Sequence, residues 1–231
     1  MPIYPRVLPF GDGAVLVEFG ATPNLVDNAS AHALADVLAS APPPGLRALV
    51  PGYVSLLIEF DALVDDVLPR VEDAVSRLAM TRPTEAGRLR RVPLVYGGQH
   101  GPDLADVARQ LRLTEEQVIA AHVRDRQTVY MLGFAPGHPY VGDLPPELAG
   151  LTRLATPRTR VPRGSVAIVG RQTVIYPHST PGGWRIIGQT PIELWDAGRD
   201  PPAYFAPGDR IQFEPISADD WPRRLGQPLD W

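Results

Sequence analysis

The fold is decided by the stretch Val129–Pro191, which reads VYMLGFAPGHPYVGDLPPELAGLTRLATPRTRVPRGSVAIVGRQTVIYPHSTPGGWRIIGQTP. Short apolar runs alternate here with Gly and Pro, a pattern typical of short strands joined by ordered turns. Between Leu148 and Ile192 there is no Asp or Glu, although the chain as a whole has a formal net charge of -4. The same segment contains six arginines: Arg153, Arg158, Arg160, Arg163, Arg171 and Arg185. Because like charges repel, we expect a negatively charged ligand at this site.

The second half of the chain has the periodicity of strands, with turns at Gly170-Arg171, Gly182-Gly183 and Pro207-Gly208-Asp209. Many short strands punctuated in this way favour an antiparallel barrel or a sandwich. Strands are predicted at Val129–Phe134, Val166–Gly170, Thr173–Tyr176, Arg185–Ile187, Pro191–Trp195 and Arg210–Pro215. Two helices precede them: one at Asp103–Leu111, which Asp103 can cap, and one opened by a Thr114/Gln117 capping box. We assign this second domain to residues 88–231.

The first half of the chain mixes strands with helical periodicity. The predicted elements are strands at Arg6–Phe10, Ala14–Phe19, Leu46–Val50 and Val54–Phe60, helices at Asn24–Ser40 and Val64–Met80, and a further strand at Arg88–Leu94. The order strand, helix, strand, strand, helix, strand is that of a ferredoxin-like unit. We assign this first domain to residues 1–87, ending in the polar segment Arg82–Gly87. The fold class is therefore α+β: a ferredoxin-like α/β sandwich followed by a β-barrel.

Composition excludes several kinds of chemistry. The chain has no cysteine, so disulfides, thiolate nucleophiles and Cys-based metal sites are absent. All 22 basic residues are arginine, which removes a P-loop lysine, a Schiff-base lysine and a lysine-bound pyridoxal phosphate. No signal peptide and no apolar run of membrane-spanning length is present, so we expect a cytoplasmic protein without a membrane partner.

The segment Gly133–Tyr140, GFAPGHPY, is the first candidate for a binding loop. Prolines fix its backbone while glycines permit unusual dihedral angles, so the loop can present N–H groups and side chains rigidly. A loop that only closes the barrel explains the residue types equally well. His138 within it is a candidate general acid or base. His178 offers the same chemistry, but no carboxylate or third histidine lies near either residue in sequence, so we expect no metal site.

The arginines allow three interpretations: solvated side chains, a nucleic-acid face, or a pocket for a small carboxylate or phosphate. A negative net charge argues against nucleic acid. Pocket recognition is favoured by the guanidinium fork, which binds a carboxylate through two hydrogen bonds. Arg158 and Arg160 alternate in an extended segment, so both side chains are expected on one side, as an anion clamp. Gln172 and Tyr176 can add neutral hydrogen bonds to the same ligand.

No Ser-His-Asp arrangement can be assigned, because Ser165 and Ser179 lack a nucleophile-elbow context. The chain alone does not have the residues of a complete enzyme.

In the binding loop and the arginine-containing segment, the sequence resembles the family of the 5-oxoprolinase B subunit. This family is also described as allophanate hydrolase subunit 1 and as the sporulation kinase inhibitor of Bacillus. The matching pieces are Gly133–Tyr140, Thr156–Arg158, Arg160–Pro162, Gly164–Val166, Gln172–Thr173, Ile175–Pro177 and Pro181–Trp184 through Ile187–Gly188. The resemblance implies a small α+β domain followed by a cyclophilin-like β-barrel. At His138 the family pattern has Phe, so the histidine either adds a proton-transfer group or replaces one aromatic ring by another.

The resemblance also implies a reaction and partners. Members work with a C subunit of homologous fold and with an A subunit in the ATP-dependent opening of 5-oxoproline to glutamate. The ATP is used by the complex, and without a P-loop lysine this chain is not expected to bind it in that way. Alternatives are a component of an allophanate hydrolase or of a urea carboxyltransferase, and an inhibitor of a sensor histidine kinase. Biotin is required only under the carboxyltransferase alternative.

We expect the isolated chain to be inactive and its ligand to be a small anion. His138 is the candidate catalytic residue. The predicted substrate-binding residues are Phe134, Gly137, His138, Tyr140, Arg158, Arg160, Gln172, Tyr176, His178, Gly183 and Trp184.

Overall fold

The structure is a computed structural model, and it describes residues 3–61, 67–78 and 87–225. The chain divides into two compact units, Met1–Glu85 and Ala86–Trp231. The predicted boundary segment, apart from Gly87, lies outside the described residues, as do the first and last residues of the helix predicted at Val64–Met80.

The first unit is a four-stranded antiparallel sheet with two helices. Its elements are β1 (Arg6–Pro9), β2 (Ala14–Glu18), α1 (Leu25–Ser40), β3 (Leu46–Pro51), β4 (Ser55–Phe60) and α2 (Val67–Leu78). The strand order is β1-β2-β4-β3. The helices contribute residues such as Leu34 and Val71 to one core with Val17 and Ile58 of the sheet. Alternate strand residues enter this core, as the period of two requires.

This unit is ferredoxin-like, with one difference from the predicted strand order. In a ferredoxin-like unit, the strand after the second helix lies at the sheet edge beside the first strand. Here β1, the first arm of the N-terminal hairpin, occupies that edge, since it pairs with β2 through Leu8 and Leu16. The strand predicted at Arg88–Leu94 therefore does not complete this sheet and belongs to the second unit.

The second unit contains a closed seven-stranded barrel, which confirms the α+β class with a terminal β-barrel. Its elements are β5 (Leu89–Tyr96), α3 (Leu104–Leu111), α4 (Glu115–Arg124), β6 (Gln127–Leu132), β7 (Pro139–Gly142), a 3-10 helix (Pro146–Leu148), β8 (Arg158–Val161), β9 (Ser165–Val169), β10 (Gln172–Ile175), β11 (Thr180–Gly182), β12 (Arg185–Gln189), β13 (Arg210–Pro215), a 3-10 helix (Ala218–Asp220) and α5 (Trp221–Arg224). Around the barrel the order is β10-β7-β6-β13-β5-β12-β9, while β8 and β11 form a separate two-stranded ribbon.

Three features of the barrel differ from the sequence-based expectation. Residues Pro139–Gly142 form a barrel strand, β7, that the sequence did not predict. The β5–β13 pair is parallel, whereas the other pairs of the barrel are antiparallel. The strand predicted at Pro191–Trp195 does not form. Trp195 makes only an isolated bridge to Ala203, because this apolar segment is buried in the main core as a loop, through Ile192 and Leu194.

Side chains on the two faces of the barrel wall enter different cores. Val166, Ile168, Ile175 and Ile187 point into the main core. The alternate residues of the same strands, including Ala167, Val174 and Ile186, form a second and smaller core. That smaller core lies on the opposite face of the wall and supports the candidate site.

Candidate functional site

A cavity of about 140 Å³ lies over the smaller core. Its lining is mostly aromatic and, among the described residues, contains one permanently charged side chain. The lining residues are Phe134, His138, Tyr140, Arg153, Tyr176, Pro181, Gly182, Gly183 and Trp184. Its size is close to that of an apolar cavity that accepts one benzene-sized ring, so a single small cyclic molecule fits it.

Strand register explains why the aromatic rings meet. Tyr140 of β7 is directly opposite Val174 of β10. Continuing this antiparallel register by two residues places His138 opposite Tyr176, on the same face, because strand side chains alternate. The two rings are 5.0 Å apart between centroids and nearly perpendicular. Trp184, which precedes β12, completes this wall with its ring centroid 6.1 Å from that of Tyr140.

The loop between β6 and β7 forms the second wall. It is held by backbone hydrogen bonds, in which the N–H of Gly133 donates to the carbonyl of His138 and the N–H of His138 donates to the carbonyl of Ala135, both at 3.1 Å. Gly137 has φ +71°, and a Cβ there would lie 3.0 Å from the carbonyl oxygen of Leu194, so the position requires glycine. The prediction of a rigid loop rich in special backbone angles agrees with this geometry.

Phe134 in the same loop has φ +70°, a rare and costly conformation for a residue with a side chain. Its side chain remains 65% exposed and its ring contacts His138 edge-on at 5.3 Å between centroids. The loop thus keeps a strained aromatic residue at the cavity mouth, where burial does not offset the strain.

The ribbon of β8 and β11 supplies the third wall. Gly182 of β11 is opposite Arg158 of β8. A Cβ on Gly182 would lie 2.5 Å from Oη of Tyr176 and 3.0 Å from Val161, so the ribbon approaches the barrel wall closely only because this residue is glycine.

The titratable groups of the cavity are uncharged, apart from the arginine. Burial lowers the pKa of His138 to about 4. Burial raises the pKa of Tyr176 to about 12, against the opposing effect of the Arg153 and Arg158 cations. Burial likewise raises the pKa of Tyr140. At neutral pH the cavity therefore presents neutral rings and the positive charge of Arg153.

Three of the six arginines in the acid-free segment are neutralised by carboxylates from elsewhere in the chain. Arg158 Nη2 is 2.6 Å from Asp103 Oδ1, Arg163 pairs with Glu193 at 2.9 Å, and Arg185 pairs with Asp106. Asp103 does not cap α3 with its side chain as predicted. Its carboxylate instead accepts from Arg158 and from the N–H of Ile186, because the barrel lies within reach.

The predicted arginine clamp does not form in the cavity. Arg158 is held by Asp103, and Arg160 is exposed and donates to Ser179 Oγ at 3.0 Å. Arg153, by contrast, lines the cavity and has no carboxylate partner among the residues that the structure describes. Arg153 is one of the six arginines of the acid-free segment, and no pattern in the neighbouring residues distinguishes it from the other five.

The structure gathers six of the predicted binding residues around the cavity. They are Phe134, His138, Tyr140, Tyr176, Gly183 and Trp184. Gly137 lies behind the loop against Leu194 and Trp195. Gln172, at the start of β10, and the half-buried His178 are not part of the lining, and neither are Arg158 and Arg160.

Sequence reasoning missed Arg153, Pro181 and Gly182 as site residues, since they enter the cavity only through the pairing of the ribbon and the loop that follows residue 150. Within residues 3–61, 67–78 and 87–225, no three His, Asp or Glu side chains are grouped so as to hold a metal ion. No helix of those ranges is both long and apolar enough to cross a bilayer.

Comparison with known proteins defines the family to which this chain belongs. The model of the carboxyltransferase domain, subdomains C and D, matches residues 5–205. The chain therefore belongs to the carboxyltransferase-domain family. Within that family, it is 35% identical over 234 residues to the 5-oxoprolinase B subunit of Bacillus subtilis, covering 96% of this chain and 97% of the relative. The predicted kinship with the B subunits of 5-oxoprolinases is confirmed.

Solved structures agree with the fold. The crystal structure of TTHA0988 superposes with a TM-score of 0.76 at 35% identity, over 93% of this chain. This chain spans only 41% of that longer protein. The urea amidolyase of Kluyveromyces lactis superposes with a TM-score of 0.78 over 94% of this chain and 15% of its own, at 21% identity, a likeness of fold alone.

Proposed function

We propose that this chain is the B subunit of an ATP-dependent 5-oxoprolinase and that the aromatic cavity binds 5-oxo-L-proline. The overall reaction converts 5-oxo-L-proline, ATP and water to L-glutamate, ADP and phosphate. The observation that carries the proposal is the pairing of a cavity sized for one small ring with Arg153, which no carboxylate of the described residues neutralises. 5-Oxoproline is a five-membered ring with one carboxylate.

The physical fit has two parts. Aromatic walls from Tyr140, Tyr176 and Trp184 bury the ring faces, which removes apolar surface from water. The guanidinium of Arg153 can hold the carboxylate through two charge-assisted hydrogen bonds. A cationic ligand is disfavoured, since Arg153 would repel it and no carboxylate of the described residues lines the cavity.

We further propose that nucleotide chemistry belongs to the partner A and C subunits. The chain has no lysine for a P-loop. The isolated chain is then inactive and supplies substrate binding within a cytoplasmic complex.

The test is reconstitution. The chain is purified with the A and C subunits, and glutamate release from 5-oxo-L-proline is followed with and without ATP. Release that needs ATP and all three proteins is expected. Absence of release from the full set would overturn the proposal, and release that depends on biotin would favour carboxyltransferase chemistry instead.

A further inference from the structure

The cavity can neutralise one negative group of a ligand and no further charge. Among the described lining residues, Arg153 is the only side chain with a permanent charge, and none is a carboxylate. The other lining groups that can titrate, His138, Tyr140 and Tyr176, are uncharged at neutral pH because they are buried. A ligand with a second negative group, or with a positive one, therefore finds no partner for it in this lining.

The single charge lies in the solvent-exposed part of the lining. The side chain of Arg153 is exposed, whereas Tyr176 and Trp184 are 3% and 7% exposed. Burial raises the pKa of Tyr176 to about 12, and the Arg153 cation opposes this rise, so the guanidinium acts directly on that wall of the cavity. A ligand whose carboxylate meets Arg153 consequently has the rest of its body against buried, uncharged rings.

Opening of the lactam multiplies the charged groups of the ligand. In the proposed reaction, the bond between the ring nitrogen and the carbonyl carbon breaks. Water gives its oxygen to the new carboxylate and both hydrogens to the nitrogen, which becomes an ammonium. The net charge does not change, but 5-oxo-L-proline has one charged group at pH 7, whereas L-glutamate has two carboxylates and an ammonium.

Resting on the proposed function, we propose that the cavity retains the closed ring and rejects the opened product, so that ring opening itself drives the release of L-glutamate. The positive charge of Arg153 repels the new ammonium. The new carboxylate loses water against Tyr176 and Trp184 without gaining a cation. Taking a charge out of water is unfavourable unless a partner compensates for it. The same argument excludes L-proline, which has the ring and the carboxylate of the substrate but a positively charged nitrogen.

The experiment compares three ligands in the complex with the A and C subunits, without ATP, so that no ligand is turned over. Binding of 5-oxo-L-proline is measured by calorimetry, and L-proline and L-glutamate are measured by competition against it. Each of the two competitors is expected to bind about 100-fold more weakly than 5-oxo-L-proline. L-Proline isolates the effect of the ammonium, because it has no second carboxylate.

A variant assigns the discrimination to this cavity and not to ligand sites on the A and C subunits. Arg153→Gln removes the attraction for the carboxylate of every ligand, but it also removes the repulsion of the ammonium. The preference for 5-oxo-L-proline over L-proline is therefore expected to fall by about 10-fold. Arg126→Gln is the matched control, since Arg126 is exposed and does not line the cavity, and its preference is expected to equal that of the wild type.

Product rejection is overturned if L-proline or L-glutamate binds the wild type less than about 10-fold more weakly than 5-oxo-L-proline. A preference that Arg153→Gln leaves unchanged overturns it as well. Either result leaves the proposed function intact, because 5-oxo-L-proline still binds. If the wild-type complex does not bind 5-oxo-L-proline, the proposed function itself fails and product rejection fails with it.

Discussion

Asp103 at the start of α3 and Arg158 at the start of β8 are 55 residues apart in sequence, yet Nη2 of the arginine donates to Oδ1 of the aspartate at 2.6 Å. The other carboxylate oxygen accepts from the N–H of Ile186 at 2.7 Å. One carboxylate therefore joins a helix to both a ribbon strand and a barrel strand. This contact neutralises Arg158 and concentrates the positive charge of the cavity in Arg153.

Replacing Asp103 with Ala is expected to lower the free energy of unfolding by about 2–3 kcal/mol, since it leaves a partly buried guanidinium and a backbone N–H unpaired. The side chains of Asp103 and Arg158 are 11% and 29% exposed, so water compensates only in part. Urea denaturation measures the change. Glu193→Ala is the matched control, because its pair with Arg163 is solvated and is expected to contribute about 1 kcal/mol or less. Equal losses in the two variants would contradict the structural role of Asp103.

Replacing Arg153 with Gln is expected to weaken binding of 5-oxo-L-proline by about 10- to 100-fold, the effect of losing hydrogen bonds to a charged group. Calorimetry on the complex measures the dissociation constant. Arg126→Gln serves as control, because Arg126 is exposed and precedes β6 at the end of that strand away from the binding loop. Similar weakening in both variants would show that general charge, and not the cavity, attracts the ligand.

Local sequence patterns predicted the secondary structure well where a single period or cap decides it. The helix predicted at Asn24–Ser40 is α1, with Asn24 as its N-cap. The Thr114/Gln117 capping box forms with both reciprocal hydrogen bonds. Such features depend on neighbours within four residues, so they can be derived before the fold is known.

Contacts between distant segments could not be derived in the same way. The parallel pairing of β5 with β13 joins Leu89 to Arg210, and the pairing of Arg185 with Asp106 spans 79 residues. Periodicity indicates which face of a strand is buried, but not which strand lies beside it. For this reason the aromatic loop was recognised in sequence, whereas the choice of Arg153 among six arginines was not.

Gly182→Ala is expected to destabilise the protein by about 1–3 kcal/mol, because the new methyl group would collide with Tyr176 and Val161. Gly183→Ala provides the control: it adds the same methyl group, yet the nearest atoms there belong to Pro157 at 3.6 Å, an ordinary contact distance. Thermal unfolding followed by circular dichroism compares the two. If both variants unfold at the same temperature as the wild type, the close approach of ribbon and barrel is not maintained in solution.

Stability is expected to fall as the pH decreases from about 6.5 towards 4, because two histidines are held neutral by burial. Burial lowers the pKa of His138 to about 4 and that of His122 to about 3. Between these values and the pKa of a free histidine, the unfolded chain binds more protons than the folded one. Protonation then favours unfolding by up to about 1.4 kcal/mol per pH unit for each histidine. At pH 7 both groups are neutral in the folded state and the penalty is absent.

The pH effect is checked by urea denaturation at pH 7, 6 and 5 for the wild type and His138→Phe. The variant retains His122 but loses one titrating group, so its stability should decline less steeply. If the free energy of unfolding falls equally steeply with pH in the wild type and in His138→Phe, the fold does not hold His138 in its neutral form.

The barrel closes through its last strand. β13 lies between β5 and β6, so both of those strands have open edges until Arg210–Pro215 is in place. During synthesis, the barrel wall that carries the cavity consequently leaves the ribosome as an open sheet with two unpaired strand edges. A chain that ends before Arg210 would lack β13 and leave the edges of β5 and β6 unpaired, and unpaired strand edges promote aggregation.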